Sequence, residues 1–223
     1  MIKVMIADDH PLIRKGFREA LMNEPEFNVV AEASDGREVL DLIDKTKVDI
    51  IVMDISMPGM TGLEVLEHLK KEHKKIPILI LSVHPEDGYA IRSLKSGASG
   101  YLTKESTPEE LIYAIRKVAR GGKYITPSLA DKIIEELERV KGPNLHDSLS
   151  NREFEILCMI ARGKSVRQIS EALYISIQTV HTYRNRILEK MKMKSNIELT
   201  HYAIQHSLIE CIKIPGSKKR SKL

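Results

Sequence analysis

Cysteine is nearly absent from this 223-residue sequence, which holds only Cys158 and Cys211. Two thiols do not make a disulfide framework, so the pattern fits a reducing cytoplasm. Cys158 lies inside the apolar stretch Glu155-Ile156-Leu157-Cys158-Met159-Ile160 and reads as a small buried thiol. No apolar run approaches the roughly 20 residues that a membrane span needs, so no membrane role is expected. The start, Met1-Ile2-Lys3-Val4, leads into a strand-like run and then acids, unlike a signal peptide. There is no internal repeat, and no low-complexity stretch beyond the basic tail Lys218-Lys219-Arg220-Ser221-Lys222.

What is present is enough apolar residue, 42%, for packed cores, and enough length for two domains. The formal net charge of +4 hides an asymmetry. Residues 1–124 carry 18 basic against 20 acidic side chains, whereas residues 125–223 carry 17 against 11. A basic C-terminal half points to a polyanionic partner there, although the tail contributes much of the excess.

Residues 1–124 alternate short apolar runs with amphipathic stretches. The runs fall at 3–7, 28–33, 50–53, 78–81 and 100–102. The helical stretches fall at 12–23, 36–44, 62–72, 88–96 and 108–119. Five such pairs predict a doubly wound α/β domain, a five-stranded parallel sheet with helices on both faces. Capping signals support the helix starts: Thr61 with Glu64, and Thr107-Pro108-Glu109-Glu110. A linker at 125–147 holds one helix, about 128–141, which Gly142-Pro143-Asn144 ends. From 148 to 210 the pattern is all-α. Capping boxes at Ser150…Glu153, Ser165…Gln168 and Ser195…Glu198 mark three starts, and a fourth helix begins at Ser176. Residues 211–223 are the basic tail.

The chemistry sits at the strand ends. The first run ends in Asp8-Asp9, the third in Asp54 and the fourth in Ser82, and the fifth is followed by Thr103-Lys104. Ligands of open parallel sheets bind outside the carboxyl ends of the strands, so these residues should converge. Three carboxylates crowded together call for a cation, and hard oxygen donors favour Mg²⁺ or Mn²⁺. A carboxylate can also attack phosphorus to form an aspartyl phosphate, with Lys104 and Ser82 placed to hold the phosphoryl oxygens. Taken singly, each residue has a plainer reading: Asp8 or Asp9 as a helix cap, Ser82 as a strand end, Lys104 as a solvated lysine.

This ordered set resembles the receiver domain of response regulators. The resemblance spans 1–124 through Ala7-Asp8-Asp9-His10, Met53-Asp54-Ile55-Ser56-Met57-Pro58-Gly59 with Gly62, Leu81-Ser82, and Gly97-Ala98-Ser99-Gly100-Tyr101-Leu102-Thr103-Lys104. It implies a flavodoxin-like fold in which Asp54 is the phosphoacceptor. Asp8, Asp9, Asp54 and the backbone carbonyl of Ser56 would hold the metal. Ser82 and Tyr101 would be the switch pair, and Lys104 would contact the phosphoryl group. Tyr101 could instead be an aromatic that simply covers the sheet. The Ser56 side chain and His84 are expected to tune lifetime or metal geometry, although His84 could equally be a plain loop residue.

In the C-terminal half, 165–173 and 176–191 read as two helices joined by a tight turn at Tyr174-Ile175. Val180, Tyr183, Ile187 and Met191 form a core stripe on the second. Its other face carries Gln178, His181, Thr182, Asn185 and Glu189, with cations at Arg184, Arg186, Lys190, Lys192 and Lys194. Such a helix is either an ordinary amphipathic element or one that presents polar groups to base edges and cations to phosphates. Residues 148–210 resemble the LuxR-type helix-turn-helix of NarL/FixJ regulators through Leu149-Ser150-Asn151-Arg152-Glu153, Leu157, Ile160, Gly163, Ile169-Ser170, Leu173, Ser176, Thr179-Val180, His181 and Leu188. The resemblance implies a four-helix domain in which His181, Thr182 and Asn185 face bases while Thr179 and Arg186 lie near phosphates. A lysine is common where His181 stands, which leaves a pH-dependent contact open. Dimerisation through 195–207 is implied, with Ile197, Tyr202, Ala203 and Ile204 as either a dimer patch or plain core.

The whole reads as a DNA-binding response regulator of a two-component system, not an enzyme beyond its own phosphotransfer and slow autodephosphorylation. A histidine kinase would phosphorylate it, and it would act on double-stranded promoter DNA as a homodimer. The unphosphorylated receiver is expected to shield the recognition helix or the dimer surface, with 125–147 as the hinge. Two rivals remain. One is a metal-dependent phosphohydrolase, which Asp54-Ile55-Ser56 disfavours because it lacks a second acid two residues on. The other is a phosphorylation-independent nucleic-acid binder with a vestigial receiver.

Overall fold

A computed structural model of the chain describes residues 1–72, 76–83, 88–139 and 144–209. The apolar runs, rich in Val and Ile, become five strands: β1 (Ile2–Ala7), β2 (Phe27–Ala33), β3 (Ile50–Asp54), β4 (Ile78–Ser82) and β5 (Gly100–Thr103). All pair in parallel, in the order β2-β1-β3-β4-β5. The central strands β3 and β4 are buried at every residue, as a parallel sheet covered on both faces requires.

Period-two alternation divides the side chains between two layers. Val4, Ile6, Ile50, Val52, Leu79 and Leu81 pack with residues of α1 (Pro11–Met22) and α5 (Pro108–Ala119). Met5, Ile51, Met53, Ile78 and Ile80 pack on the other face. They meet α2 (Gly36–Ile43), α3 (Gly62–Glu72) and α4 (Gly88–Lys95). The doubly wound arrangement is therefore as expected. The Thr61/Glu64 and Thr107/Glu110 boxes both form, each side chain bonding the other residue's backbone N–H.

Past α5 the chain returns to the sheet edge, where Tyr101 N–H donates to the Tyr124 carbonyl at 3.2 Å. Then comes α6 (Pro127–Arg139), anchored by the fully buried Leu129. A 3₁₀ turn, Leu145–Ser148, precedes α7 (Asn151–Ala161), α8 (Val166–Leu173), α9 (Ile177–Lys190) and α10 (Asn196–Gln205). The sequence pattern did not reveal the 3₁₀ turn. Ser150/Glu153 and Ser165/Gln168 form reciprocal boxes. At α10 only half the box forms: Ser195 accepts from Glu198 N–H, but the Glu198 carboxylate reaches Lys194 N–H instead.

One glycine fixes the end of β3. Gly62 N–H donates to the Ile55 carbonyl at 2.8 Å, and a Cβ at this position would stand 2.1 Å from the Asp54 carbonyl oxygen. Backbone meets backbone there, so neither side can yield cheaply. Gly62→Ala is expected to cost about 1–3 kcal/mol in denaturant unfolding, the usual range for overpacking. An alanine variant of unchanged stability would contradict the close approach.

Candidate functional site

The strand order reverses between β1 and β3, and that is where the sequence-predicted residues meet. Asp8 follows β1, Asp54 ends β3, and Lys104 follows β5. Lys104 Nζ lies 2.6 Å from Asp8 Oδ2 and 2.7 Å from Asp54 Oδ2. Its backbone is positioned by a 2.7 Å hydrogen bond from Lys104 N–H to the Ser82 carbonyl. Asp8, Asp54 and Ser82 are buried, and Asp9 is partly open. Ser82 and Tyr101 are both fully buried, and alternation puts them on the same sheet face as Ile80. Ser56 is half-buried, and its backbone N–H favours the ionised Asp54 carboxylate against the effect of burial. His84 lies outside the described residues, as do Cys211 and the basic tail.

Asp8 and Asp9 do not cap α1. Its N-cap is His10, with no side-chain cap bond, and Asp8 Oδ1 instead accepts from His10 N–H at 2.9 Å. His10 itself was not predicted; its Nδ1 stands 2.7 Å from Asp9 Oδ1.

Burial raises the Asp54 pKa above the ordinary carboxylate value, and the Lys104 ammonium offsets only part of this. For Lys104, burial works downward, but the Asp54 and Asp8 carboxylates outweigh it and raise the pKa. The donor set suits a hard cation. Ligand atoms of Asp8, Asp9, His10 and Asp54 lie within 4.8 Å of one another. Buried Asp8 Oδ2 and Asp9 Oδ1 each face one nitrogen, Lys104 Nζ at 2.6 Å and His10 Nδ1 at 2.7 Å, and keep lone pairs that a cation would take.

At the other end of the chain, α9 buries Val180, Ile187 and, just past its end, Met191, while Tyr183 is half-buried. Gln178, His181, Thr182, Asn185, Arg186, Glu189, Lys192 and Lys194 are exposed. Thr179 is half-buried and bonds the N-cap Ser176. Two of the predicted cations have protein partners: Arg184 Nε donates to Asn196 Oδ1 at 2.7 Å, and Lys190 Nζ to Glu153 Oε2 at 2.6 Å. On α10, Tyr202 and Ala203 belong to the core, whereas Ile197 and Ile204 are exposed. No helix among the described residues is long and apolar enough to cross a membrane.

Residues 4–116 match the response regulator receiver domain, and residues 147–203 match the luxR family of bacterial regulatory proteins. The response regulator UvrY of Escherichia coli K12 is 38% identical over 209 residues, 93% of this chain and 96% of UvrY. This chain belongs to the response regulators with a LuxR-type DNA-binding domain. GacA of Pseudomonas aeruginosa is 37% identical over 211 residues, 94% of this chain and 99% of GacA. Among solved structures, RcsB of Salmonella typhimurium gives a TM-score of 0.58 at 26% identity, over 91% of this chain and 98% of RcsB. A complex of RcsB with DNA gives 0.57 at 26% identity, over 90% of this chain and 96% of that chain.

The receiver and the DNA reader meet along a seam that sequence reasoning missed. Every residue of α7 is buried. Arg92 of α4 donates from Nε to Asn151 Oδ1 at 2.7 Å, from one terminal nitrogen to the His146 carbonyl at 3.3 Å, and from the other to the Leu149 carbonyl. Its guanidinium lies 4.7 Å from the Phe154 ring centre. Tyr89 meets Phe154 edge to face at 5.4 Å and donates to the Glu155 carbonyl. Gly88 leaves room for this approach: a Cβ there would meet Phe154 at 3.0 Å and Leu208 at 3.1 Å. Of the two surfaces expected to be shielded, the recognition helix is not covered. The receiver covers α7 and the residues after α10, while the polar face of α9 stays open to solvent.

Glu155 is 5% exposed and pairs with Arg152 at 2.8 Å. Burial pushes its pKa up to about 7, Arg152 opposes this, and the charges of Glu64 and Asp54 in the receiver add to it. An acid whose folded pKa is raised binds more protons folded than unfolded, so its contribution falls as pH rises from the unfolded value of 4.5 to about 7. Glu155→Gln should therefore gain melting temperature relative to wild type across that window and hold the gain above it. A difference that does not vary with pH would contradict the assignment.

Proposed function

We propose that this regulator is switched by a phosphoryl group that a histidine kinase transfers to Asp54. The carrying observation is the single ammonium of Lys104, 2.6 and 2.7 Å from Asp8 and Asp54 at the strand-order reversal. Asp8, Asp9, Asp54 and the Ser56 carbonyl would hold Mg²⁺ or Mn²⁺, which offsets negative charge when the phosphoryl group arrives.

An Asp54 carboxylate oxygen attacks phosphorus, the P–N bond of the phosphohistidine breaks, and the departing imidazole keeps the electron pair and takes a proton. Lys104 turns from Asp54 to a phosphoryl oxygen, and the Ser82 hydroxyl bonds another. Tyr101 follows into the space that Ser82 leaves. Water later attacks the same phosphorus and restores Asp54. This self-directed chemistry is the only catalysis the reading needs.

The added charge of about −1.5 to −2 is felt at the seam, where Glu155 already senses Asp54. Ionised Glu155 is then disfavoured further in the closed form, and α4 lets go of α7. Because the polar face of α9 is already open with the seam closed, release acts on the pairing of two chains rather than by uncovering the helix. The dimer then reads two half-sites of promoter DNA. Gln178, His181, Thr182 and Asn185 face bases, while Thr179, Arg184, Arg186, Lys192 and Lys194 lie along phosphates.

Wild type, Asp54→Ala and Arg92→Ala, each with Mg²⁺ and with or without acetyl phosphate, provide the test. Acetyl phosphate should double the mass of wild type in solution and tighten its promoter binding about tenfold or more, and should do neither to Asp54→Ala. Arg92→Ala should dimerise and bind without it. If all three bind alike under every condition, the receiver is not the switch and the vestigial-receiver reading takes its place.

A further inference from the structure

The turn of the helix-turn-helix holds a residue ill suited to its backbone. Tyr174 follows α8 with φ 52 and ψ 41, in the left-handed region. Asparagine and glycine take this conformation readily, whereas a bulky aromatic adopts it at a cost. The turn is built without help from the tyrosine ring. The Ser170 hydroxyl donates to the Ile175 carbonyl at 2.5 Å, and Ile175 N–H returns a bond to the Ser170 carbonyl at 3.1 Å. Nor does the ring repay its backbone through packing, because Tyr174 is 72% exposed.

Its place gives the side chain an outside use. Tyr174 stands two residues ahead of Ser176, the N-cap of α9, at most about 7 Å of chain away. The first turn of a recognition helix is the part that enters the major groove, and phosphates line the groove's edges. Ser176 and Ile177, which open α9, are also exposed, Ile177 to 49%, while Ile175 packs against the core. Backbone strain retained at an exposed aromatic is the pattern expected of a binding residue.

We infer that Tyr174 is a DNA-backbone contact, its hydroxyl donating to a phosphate oxygen beside the groove that receives α9. Tyrosine hydroxyls are ordinary donors to phosphate, and such contacts position a protein without reading sequence. The inference rests on the DNA-binding reading of α9 and adds to it a residue outside the predicted basic and polar face.

The test compares the full-length wild type with Tyr174→Phe, Tyr174→Asn and Arg186→Ala. Each is titrated, with Mg²⁺ and beryllofluoride, against a mixed-sequence duplex of about 30 base pairs at low salt, where non-specific binding is measurable. Tyr174→Phe should keep the wild-type melting temperature and lose about threefold to tenfold in affinity, the worth of one ordinary hydrogen bond. Tyr174→Asn should melt higher, since it relieves the left-handed cost, and should bind as weakly as the phenylalanine variant. If Arg186→Ala binds more weakly while both Tyr174 variants bind like wild type, the α9 reading stands and Tyr174 is a turn residue only. If Tyr174→Asn melts lower, the ring supports the fold and the inference fails. If Arg186→Ala and the Tyr174 variants all bind like wild type, the α9 reading itself fails, and this inference with it.

Discussion

One ammonium group holds two buried carboxylates together at the reversal of the sheet. Without Lys104 between them, Asp8 and Asp54 would repel each other in a site that water barely reaches, and burial alone already lifts the Asp54 pKa. The pocket is thus balanced but replaceable. A cation can take over the neutralisation of Asp8 and Asp9, and a phosphoryl group can draw Lys104 away from Asp54. The strands supply only position: parallel pairing brings residues 8, 54 and 104 to one rim, and Gly62 lets α3 start hard against the end of β3.

That local charge balance is tied to the second domain by the seam between α4 and α7. Arg92 satisfies its guanidinium on α7 and on the two residues' carbonyls that lead into it, so α4 carries a cation that is content only when the domains are closed. Burial lowers its pKa, which means that closure strains it unless every partner stays in place. Glu155 provides the opposing sign: desolvated, raised to about 7, and sensitive to charge at Asp54. A charge added in the pocket therefore has a physical route to the seam, with no need for the receiver to touch the recognition helix.

The legible part of this protein was local. Strand ends, period-two alternation and reciprocal caps such as Ser150/Glu153 all lie within a few residues of their partners, so the order of elements and the acidic rim could be read directly. The core stripe of α9 was legible for the same reason. Arg92 bonding Asn151 was not, because two helices 59 residues apart share no period. A signal did exist in α7: the unbroken apolar run Ile156–Ala161 is hydrophobic on every side, more than a helix packed on one face needs. Likewise Tyr174 could be placed in a turn, but its left-handed backbone and its exposure are three-dimensional facts. Sequence left the shielded surface as either the recognition helix or the dimer surface, because family likeness fixes the two folds and not which surfaces they press together.

The most direct measurement is an intramolecular distance. Spin labels at Asp41→Cys and Gln168→Cys, both exposed positions, with Cys211 replaced by serine and labelled chains diluted in unlabelled ones, report the separation of the domains within one molecule. The account predicts one short, narrow distance with Mg²⁺ alone, and a longer, broader distribution once beryllofluoride is added, with no change in an Asp54→Ala background. A distance that stays the same with the phosphoryl mimic, or lengthens equally in Asp54→Ala, would contradict the coupling of the acidic pocket to the α4–α7 seam.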